Sequence, residues 1–327
     1  MLENKNILIT GGTGTFGNFF LRTILSKFKK VKKIVIYSRD ELKQSEMKII
    51  YPESKYPSIR FYLGDVRDYK RLSMAMDGID IVVHAAALKQ VPAAELDPFE
   101  FIKTNIFGAQ NIIEASLEKN VKRIIALSTD KAASPINLYG ATKLCADKLF
   151  SAANNIVGKK LSRFSIVRYG NVMGSRGSVI PVFRKILKKK EKYFLITDKN
   201  MSRFNITLEE SVKVVMWAIK NSKGGEIIVP KIPSLGIVDL ANAIDSKIEK
   251  KFIGIRPGEK IFEELISEHD LPYTVDVGKY YVIYNPAVTK CLNYYKKFKK
   301  NKLMKSYNSR DNIFLSQTKI KELLKEC

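Results

Sequence analysis

Cysteine and histidine are scarce: the 327 residues include three cysteines, Cys145, Cys291 and Cys327, and two histidines, His84 and His269. The cysteines lie far apart with no C-x-x-C spacing, which argues against a disulfide framework or a zinc centre and leaves reduced thiols in a reducing compartment as the expectation. No metal is expected. Long hydrophobic runs are also missing. Nothing approaches the ~20 apolar residues of a membrane span, and Met1-Leu2-Glu3 passes straight into a strand-like Asn6–Thr10 without a signal-peptide pattern. The expectation is a cytoplasmic protein with no membrane partner. Internal repeats and low-complexity linkers are absent as well, so any two lobes are expected to pack closely.

Acidic residues are in short supply too. Against 57 Lys and Arg stand 33 Asp and Glu, a formal net charge of +24 that favours anionic partners. The excess is mostly lysine scattered along the chain, and clusters such as Lys188–Lys190 and Lys296–Lys300 read as solvated helix faces. Nucleic acid is therefore not an expected partner, whereas an anionic small molecule is.

What the chain does have is a rhythm. With 45% hydrophobic residues it can fill a substantial core. Short β-branched runs at Ile7–Ile9, Lys33–Tyr37, Arg60–Leu63, Ile79–Val83, Arg123–Leu127 and Phe164–Arg168 alternate with helix-length segments near 16–29, 40–50, 68–77, 98–119 and 137–156. This alternation predicts an α/β fold, a Rossmann-like doubly wound parallel sheet. After about residue 170 the rhythm breaks into loops rich in glycine and proline. Residues 1–170 are accordingly expected to bind the cofactor and carry the catalytic groups, and 171–327 to form a smaller C-terminal substrate-binding lobe.

Thr10-Gly11-Gly12-Thr13-Gly14-Thr15-Phe16-Gly17 follows the first strand and opens the first helix. Gly11, Gly14 and Gly17 allow a tight turn, close approach of backbone amides to a pyrophosphate, and tight packing of helix on sheet; Thr13, Thr15 and Phe16 complete the loop. The run fits two glycine spacings, so the task of each glycine stays open. At the end of the second strand, in Tyr37-Ser38-Arg39-Asp40, an NAD enzyme would usually offer a carboxylate to the ribose 2′-hydroxyl. Arg39, with Ser38 and Lys43, instead suits a 2′-phosphate and points to NADP, although Asp40 keeps NAD open. Asp65 and Val66 lie where an adenine edge would be read.

Tyr139 and Lys143 stand four apart, on one helix face. A nearby cation is expected to lower the tyrosine pKa so that the phenolate accepts the proton of a sugar hydroxyl, with Ser128 and Thr129 bonding the reacting oxygen. Between strand and tyrosine stand Thr129-Asp130-Lys131. Hydride transfer needs no such acid–base pair, but elimination of water does: once a ketone has formed, one group must remove the neighbouring proton and another must protonate the leaving hydroxyl. Which does which is open.

The stretches Tyr37–Lys43, His84–Lys89, Leu127–Ala132, Asn137–Lys143 and Arg168–Val172 closely resemble the extended short-chain dehydrogenase/reductase family. Within that family the chain is similar to the soluble inverting UDP-N-acetylglucosamine 4,6-dehydratases that begin pseudaminic acid synthesis. The resemblance runs to about Glu268 and resumes weakly at Tyr307-Asn308-Ser309. It implies that Tyr139, Lys143 and Thr129 support oxidation at C4 by NADP and that Asp130 and Lys131 eliminate water across C5 and C6. Hydride then returns to C6 and a proton reaches the opposite face of C5. It also implies Ala85 and Ala86 beside the cofactor and Lys89 beside the substrate. Asn171, Arg203 and Arg256 would hold the UDP diphosphate, with Glu259 near the ribose and the loop of Ser175, Val179 and Pro181 near the uracil. Homo-oligomers are usual in the class. Two positions depart from the pattern: Gln90 replaces a histidine and Asn205 an aromatic residue. The lysine-rich stretch Thr289–Lys305 has no counterpart. A retaining 4,6-dehydratase, a UDP-sugar 4-epimerase and a non-catalytic NADP-binding sensor are the competing expectations.

Overall fold

Apolar runs of four to seven residues form the six strands of the expected sheet: β1 (Asn6–Thr10), β2 (Lys33–Ser38), β3 (Ile59–Leu63), β4 (Ile81–His84), β5 (Arg123–Thr129) and β6 (Phe164–Tyr169). The structure is a computed structural model that describes residues 2–175, 177–303 and 305–325. Alternate side chains of each strand enter different cores. Ile7, Ile9, Ile34, Ile36, Val83 and Ile125 bury on one face, and Leu8, Val35, Val82, Ile124 and Ile166 on the other. Two buried faces explain why these strands read as continuous apolar runs rather than as an apolar–polar alternation.

From one edge the sheet runs β3, β2, β1, β4, β5, β6, then Ile227–Pro230, Tyr280–Ile283 and Thr274–Asp276. The first seven strands are mutually parallel and the last two join antiparallel. Strand order reverses between β1 and β4, where such sheets open a crevice at the carboxyl ends of the strands. Thr10 pairs with both Tyr37 and His84, so the loops leaving β1, β2 and β4 start level with one another at that crevice.

Beyond residue 170 the chain divides between two places. Strands Ile227–Pro230, Thr274–Asp276 and Tyr280–Ile283 return to the central sheet, and the helix Leu208–Asn221, started by a Thr207–Glu210 capping box, packs on the first helix, α1 (Thr15–Lys27). The remainder builds a smaller layer with its own core of Phe183, Phe194, Leu235, Leu240 and Ile320. Its sheet pairs Tyr193–Ile196 with Glu249–Phe252, beside helices Val179–Lys188, Ile237–Ile244 and Gln317–Lys325. Among the described residues no helix is long and apolar enough to cross a membrane.

The expected helix at 98–119 runs from Pro98 to Glu118 but widens into a π-helical turn at Ile102–Phe107. In that turn Asn105 exchanges hydrogen bonds with the Leu88 backbone, both at 2.9 Å, and donates to Thr142 Oγ1 at 3.0 Å. The loop after β4 is thereby tied to the helix that carries Tyr139.

The lysine-rich stretch owes its place to a buried acid. Glu226 is fully buried; its carboxylate accepts hydrogen bonds from the Lys223 amide and from Tyr295 Oη at 3.2 Å, with Cys291 Sγ at 3.9 Å. Cys291 and Tyr295 are the buried side chains of the helix Thr289–Tyr295. The Lys223 and Lys297 ammonium groups lie over the Tyr294 ring, 4.3 and 4.7 Å from its centre. Cys145 is exposed, and Cys327 lies outside the described residues. Glu226→Ala leaves the Tyr295 hydroxyl and the Lys223 amide buried without acceptors. It is expected to lower stability by roughly 2 kcal/mol or more in urea denaturation; an unchanged midpoint would contradict this anchoring role.

Candidate functional site

A cleft of about 590 Å³ lies over the carboxyl ends of β1, β2, β4 and β5. Its floor is the glycine loop, whose glycines now have separate tasks. Gly11 takes a left-handed φ of +64°, and a Cβ there would lie 2.9 Å from the Ala85 carbonyl carbon and the Ala86 amide. Gly14 caps α1 without any side-chain cap, and the first turn carries no acidic residue. The opening N–H groups of the helix therefore face the cleft as donors for an anion. Gly17 lets α1 lie on the loop, since a Cβ would come 2.5 Å from Gly12 Cα. His84 pins the neighbouring strand end: its Nδ1 is 2.8 Å from Thr10 Oγ1, and burial, helped by the Lys143 charge, holds its pKa down to about 3. It is a neutral structural residue.

At one end of the cleft Ser38, Arg39, Lys43, Asp65 and Val66 come together as the sequence predicts. Half-exposed Arg39 sits 3.6 Å from Asp65 Oδ2, and Lys43 pairs with Asp40. Ala85 and Ala86 line the middle, with Thr104 from the π-helical turn beside them.

The other end holds the residues expected to act as acid and base. Tyr139, Lys143 and Asp147 are buried on one face of the helix Leu138–Ala152, one turn apart. Lys143 Nζ donates to the Leu127 carbonyl at 2.8 Å, and burial depresses its pKa against the pull of Asp147. Tyr139 behaves otherwise than its spacing suggests. Burial pushes its phenol up to about 12, and the largest pull back down is the Lys131 charge. The two hydroxyls at the end of β5 also part company: Ser128 donates to Asp147 Oδ2 at 2.8 Å, whereas Thr129 donates to Asp130 Oδ1 at 2.9 Å.

Lys131 lines the cleft, while Asp130 lies beneath it with no exposed surface. Asp130 Oδ1 accepts from Thr129 Oγ1 at 2.9 Å and from Lys131 Nζ at 3.1 Å, and its Oδ2 is buried with no hydrogen-bond partner among the described residues. On its other side Lys131 Nζ meets Glu263 Oε1 at 3.3 Å. Burial alone would depress the Lys131 ammonium, but the Asp130 and Glu263 carboxylates outweigh it and hold it well above the ordinary lysine value.

Of the expected substrate contacts, Lys89, Asn171 and Ser175 line the cleft. Val179, Pro181, Arg203, Arg256 and Glu259 do not. Arg203 is buried and binds the carbonyls of Ser202, Lys260 and Ile261; Arg256 is exposed; Glu259 accepts from Thr197 Oγ1 at 2.9 Å. Gln90, one of the two departures, lines the cleft, whereas Asn205 is buried beside Met173. Sequence reasoning missed Asp147, Thr104 and Glu263. The first was within reach, lying one turn beyond Lys143 on the same face; nothing in the sequence around Glu263 announces that it meets Lys131.

A parallel sheet that reverses at β1 and β4, a glycine loop at that point and a Tyr139–Lys143 helix beside it define the short-chain dehydrogenase/reductase class. Within it the chain belongs to the polysaccharide biosynthesis protein family, whose model matches residues 7–285. It is 54% identical over 288 residues to the UDP-N-acetylglucosamine 4,6-dehydratase (inverting) of Campylobacter jejuni, covering 88% of this chain and 85% of that protein. It is 43% identical over 338 residues to the UDP-glucose 4-epimerase of Rickettsia felis, covering 99% and 96%. The crystal structure of Pen from Bacillus thuringiensis superposes with a TM-score of 0.89 at 36% identity, covering 100% of this chain and 99% of that one. Gly17→Ala would set a methyl group against the Gly12 backbone and is expected to lower stability by roughly 1–3 kcal/mol. A calorimetric melt indistinguishable from that of the unsubstituted chain would contradict the packing described.

Proposed function

We propose that this chain is an NADP-dependent, C5-inverting 4,6-dehydratase of UDP-N-acetylglucosamine. The observation that carries the reading is the Lys131 ammonium, set on the cleft wall with Asp130 beneath it and Tyr139 beside it. Uncapped amides at the start of α1 and glycines with no room for a Cβ fit a dinucleotide pyrophosphate. Ser38, Arg39 and Lys43 would meet a 2′-phosphate. A bound nicotinamide supplies the hydride acceptor for C4 and the hydride donor for C6, and ends as it began.

The chain's own groups move the protons. Tyr139, which lines the cleft with Thr129, takes the proton of the C4 hydroxyl as that carbon is oxidised. The new ketone acidifies the C5 proton, and Lys131 with Asp130 removes that proton and protonates the C6 oxygen, which leaves as water. Reprotonation on the opposite face of C5 inverts it. Because burial holds Tyr139 near 12, its phenol is protonated at neutral pH and needs added positive charge to act as a base. Lys89 and Asn171, which line the cleft, would meet the nucleotide sugar, and Ser175 and Gln90 would shape its pocket. The Campylobacter relative's name supports the same substrate.

The Rickettsia relative's name favours a second reading, 4-epimerisation of UDP-glucose. The two separate by mass: incubated with UDP-N-acetylglucosamine, the protein is expected to yield a product lighter by one water. Turnover only to isomers of unchanged mass would establish the epimerase. Lys131→Ala is expected to abolish water loss, a fall of at least about 100-fold, with NADP binding retained by calorimetry; loss of NADP binding would refute its catalytic role. Arg39→Ala is expected to weaken NADP by roughly tenfold while leaving NAD within about twofold. Equal losses for both cofactors would overturn the 2′-phosphate assignment.

A further inference from the structure

Glu263 carries a buried carboxylate that no step above uses. It is 2% exposed, and its Oε2 accepts no hydrogen bond among the described residues. A buried carboxylate is costly unless a cation compensates it, and among the described residues the cations it pairs with are Lys131, at 3.3 Å, and Arg203, at 3.9 Å. Arg203 already binds three backbone carbonyls, so Lys131 is the nearer and freer partner.

The backbone of Glu263 is held as firmly as its side chain. Its amide donates to Ser309 Oγ at 3.0 Å and its carbonyl accepts from the Ser309 amide at 2.8 Å. Ser309 Oγ in turn sits 2.9 Å from Ser202 Oγ. The short strand Glu264–Ile266 pairs with Tyr307–Asn308, which brings this late segment of the chain beneath the cleft. That accounts for Tyr307-Asn308-Ser309 standing out from the unmatched sequence around it.

Resting on the dehydratase reading, we propose that Glu263 is a positioning residue that, opposite Asp130, clamps the Lys131 ammonium at the cleft wall and sets its affinity for the proton it moves. Lys131 is faced by Asp130 and Glu263 as anions, by Arg203 and Lys89 as cations and by the Tyr139 phenol. Removing one of two carboxylates from that set leaves the cations less opposed. Lys131 then gives up its proton more easily, and whichever limb of the pH–rate profile it governs moves to lower pH.

The test compares the full chain with Glu263→Gln, which keeps shape and hydrogen-bonding capacity, and Glu263→Asp, which keeps the charge. Two readouts are taken: kcat and KM for UDP-N-acetylglucosamine across pH, and the pH at which Lys131 becomes open to reductive methylation, read by peptide mass spectrometry. The second needs no turnover, so it decides the clamp even if the dehydratase reading fails. For Glu263→Gln the expected result is a kcat lower by about tenfold or more, KM within about threefold, and both pH dependences displaced downward by about one unit. Glu263→Asp is expected to keep the original pH dependences with reduced kcat. Unmoved pH dependences in Glu263→Gln, with or without a fall in kcat, would overturn the proposal and leave Glu263 a structural ion-pair partner. Should Glu263→Gln fail to fold, a downward displacement in Glu263→Asp as large as the one expected for the glutamine would overturn it equally.

Discussion

Charge taken out of water has to be answered by charge, and at the end of β5 that requirement organises the site. Asp130, Lys131, Arg203 and Glu263 come from three separate stretches of chain and lie within one buried cluster. Breaking such a set by removing one member costs about 3–5 kcal/mol, because the remaining charges stay buried without a partner. The requirement fixes more than the ion pairs themselves. It holds the loop after β5 against the segment 260–263, and through Ser309 it draws in the far end of the chain. Lys131 thereby faces the cleft with its charge enforced from behind.

Around this cluster the fold supplies a frame with little freedom. Strand ends in register at β1, β2 and β4 bring three loops to one crevice, and the steric demands at Gly11 and Gly17 bring the start of α1 within reach of the same space. The π-helical turn at Ile102–Phe107 aims Asn105 at both the Leu88 backbone and Thr142. Asn105 thus ties the loop after β4, which carries Lys89, to the tyrosine helix. Widened turns of this kind recur at functional sites.

Local signals made much of this legible from the sequence. The apolar runs could be read because all but the edge strand β3 are buried on both faces, and the glycine loop because sterics leave few alternatives there. Tyr139 and Lys143 declare a shared helix face by their spacing. The rest was hidden for two reasons. Partnerships across distant segments, such as Glu263 with Lys131 or Tyr295 with Glu226, leave no trace in spacing. Charge environments also depend on which neighbours surround a group: the cation that pulls hardest on Tyr139 is Lys131, whereas the four-residue spacing suggested Lys143. Strands 227–230 and 280–283 were missed as parts of the main sheet because they follow long loops after the alternation has ended.

The claim at the centre of this account is that Lys131 and Asp130 exchange the C5 proton of a nucleotide sugar. NMR of the purified protein with UDP-N-acetylglucosamine in deuterated water follows that proton directly. The account predicts a 4-keto-6-deoxy product carrying deuterium at C5 with inverted configuration. A product that keeps its original C5 proton, or a sugar altered only at C4, would contradict it.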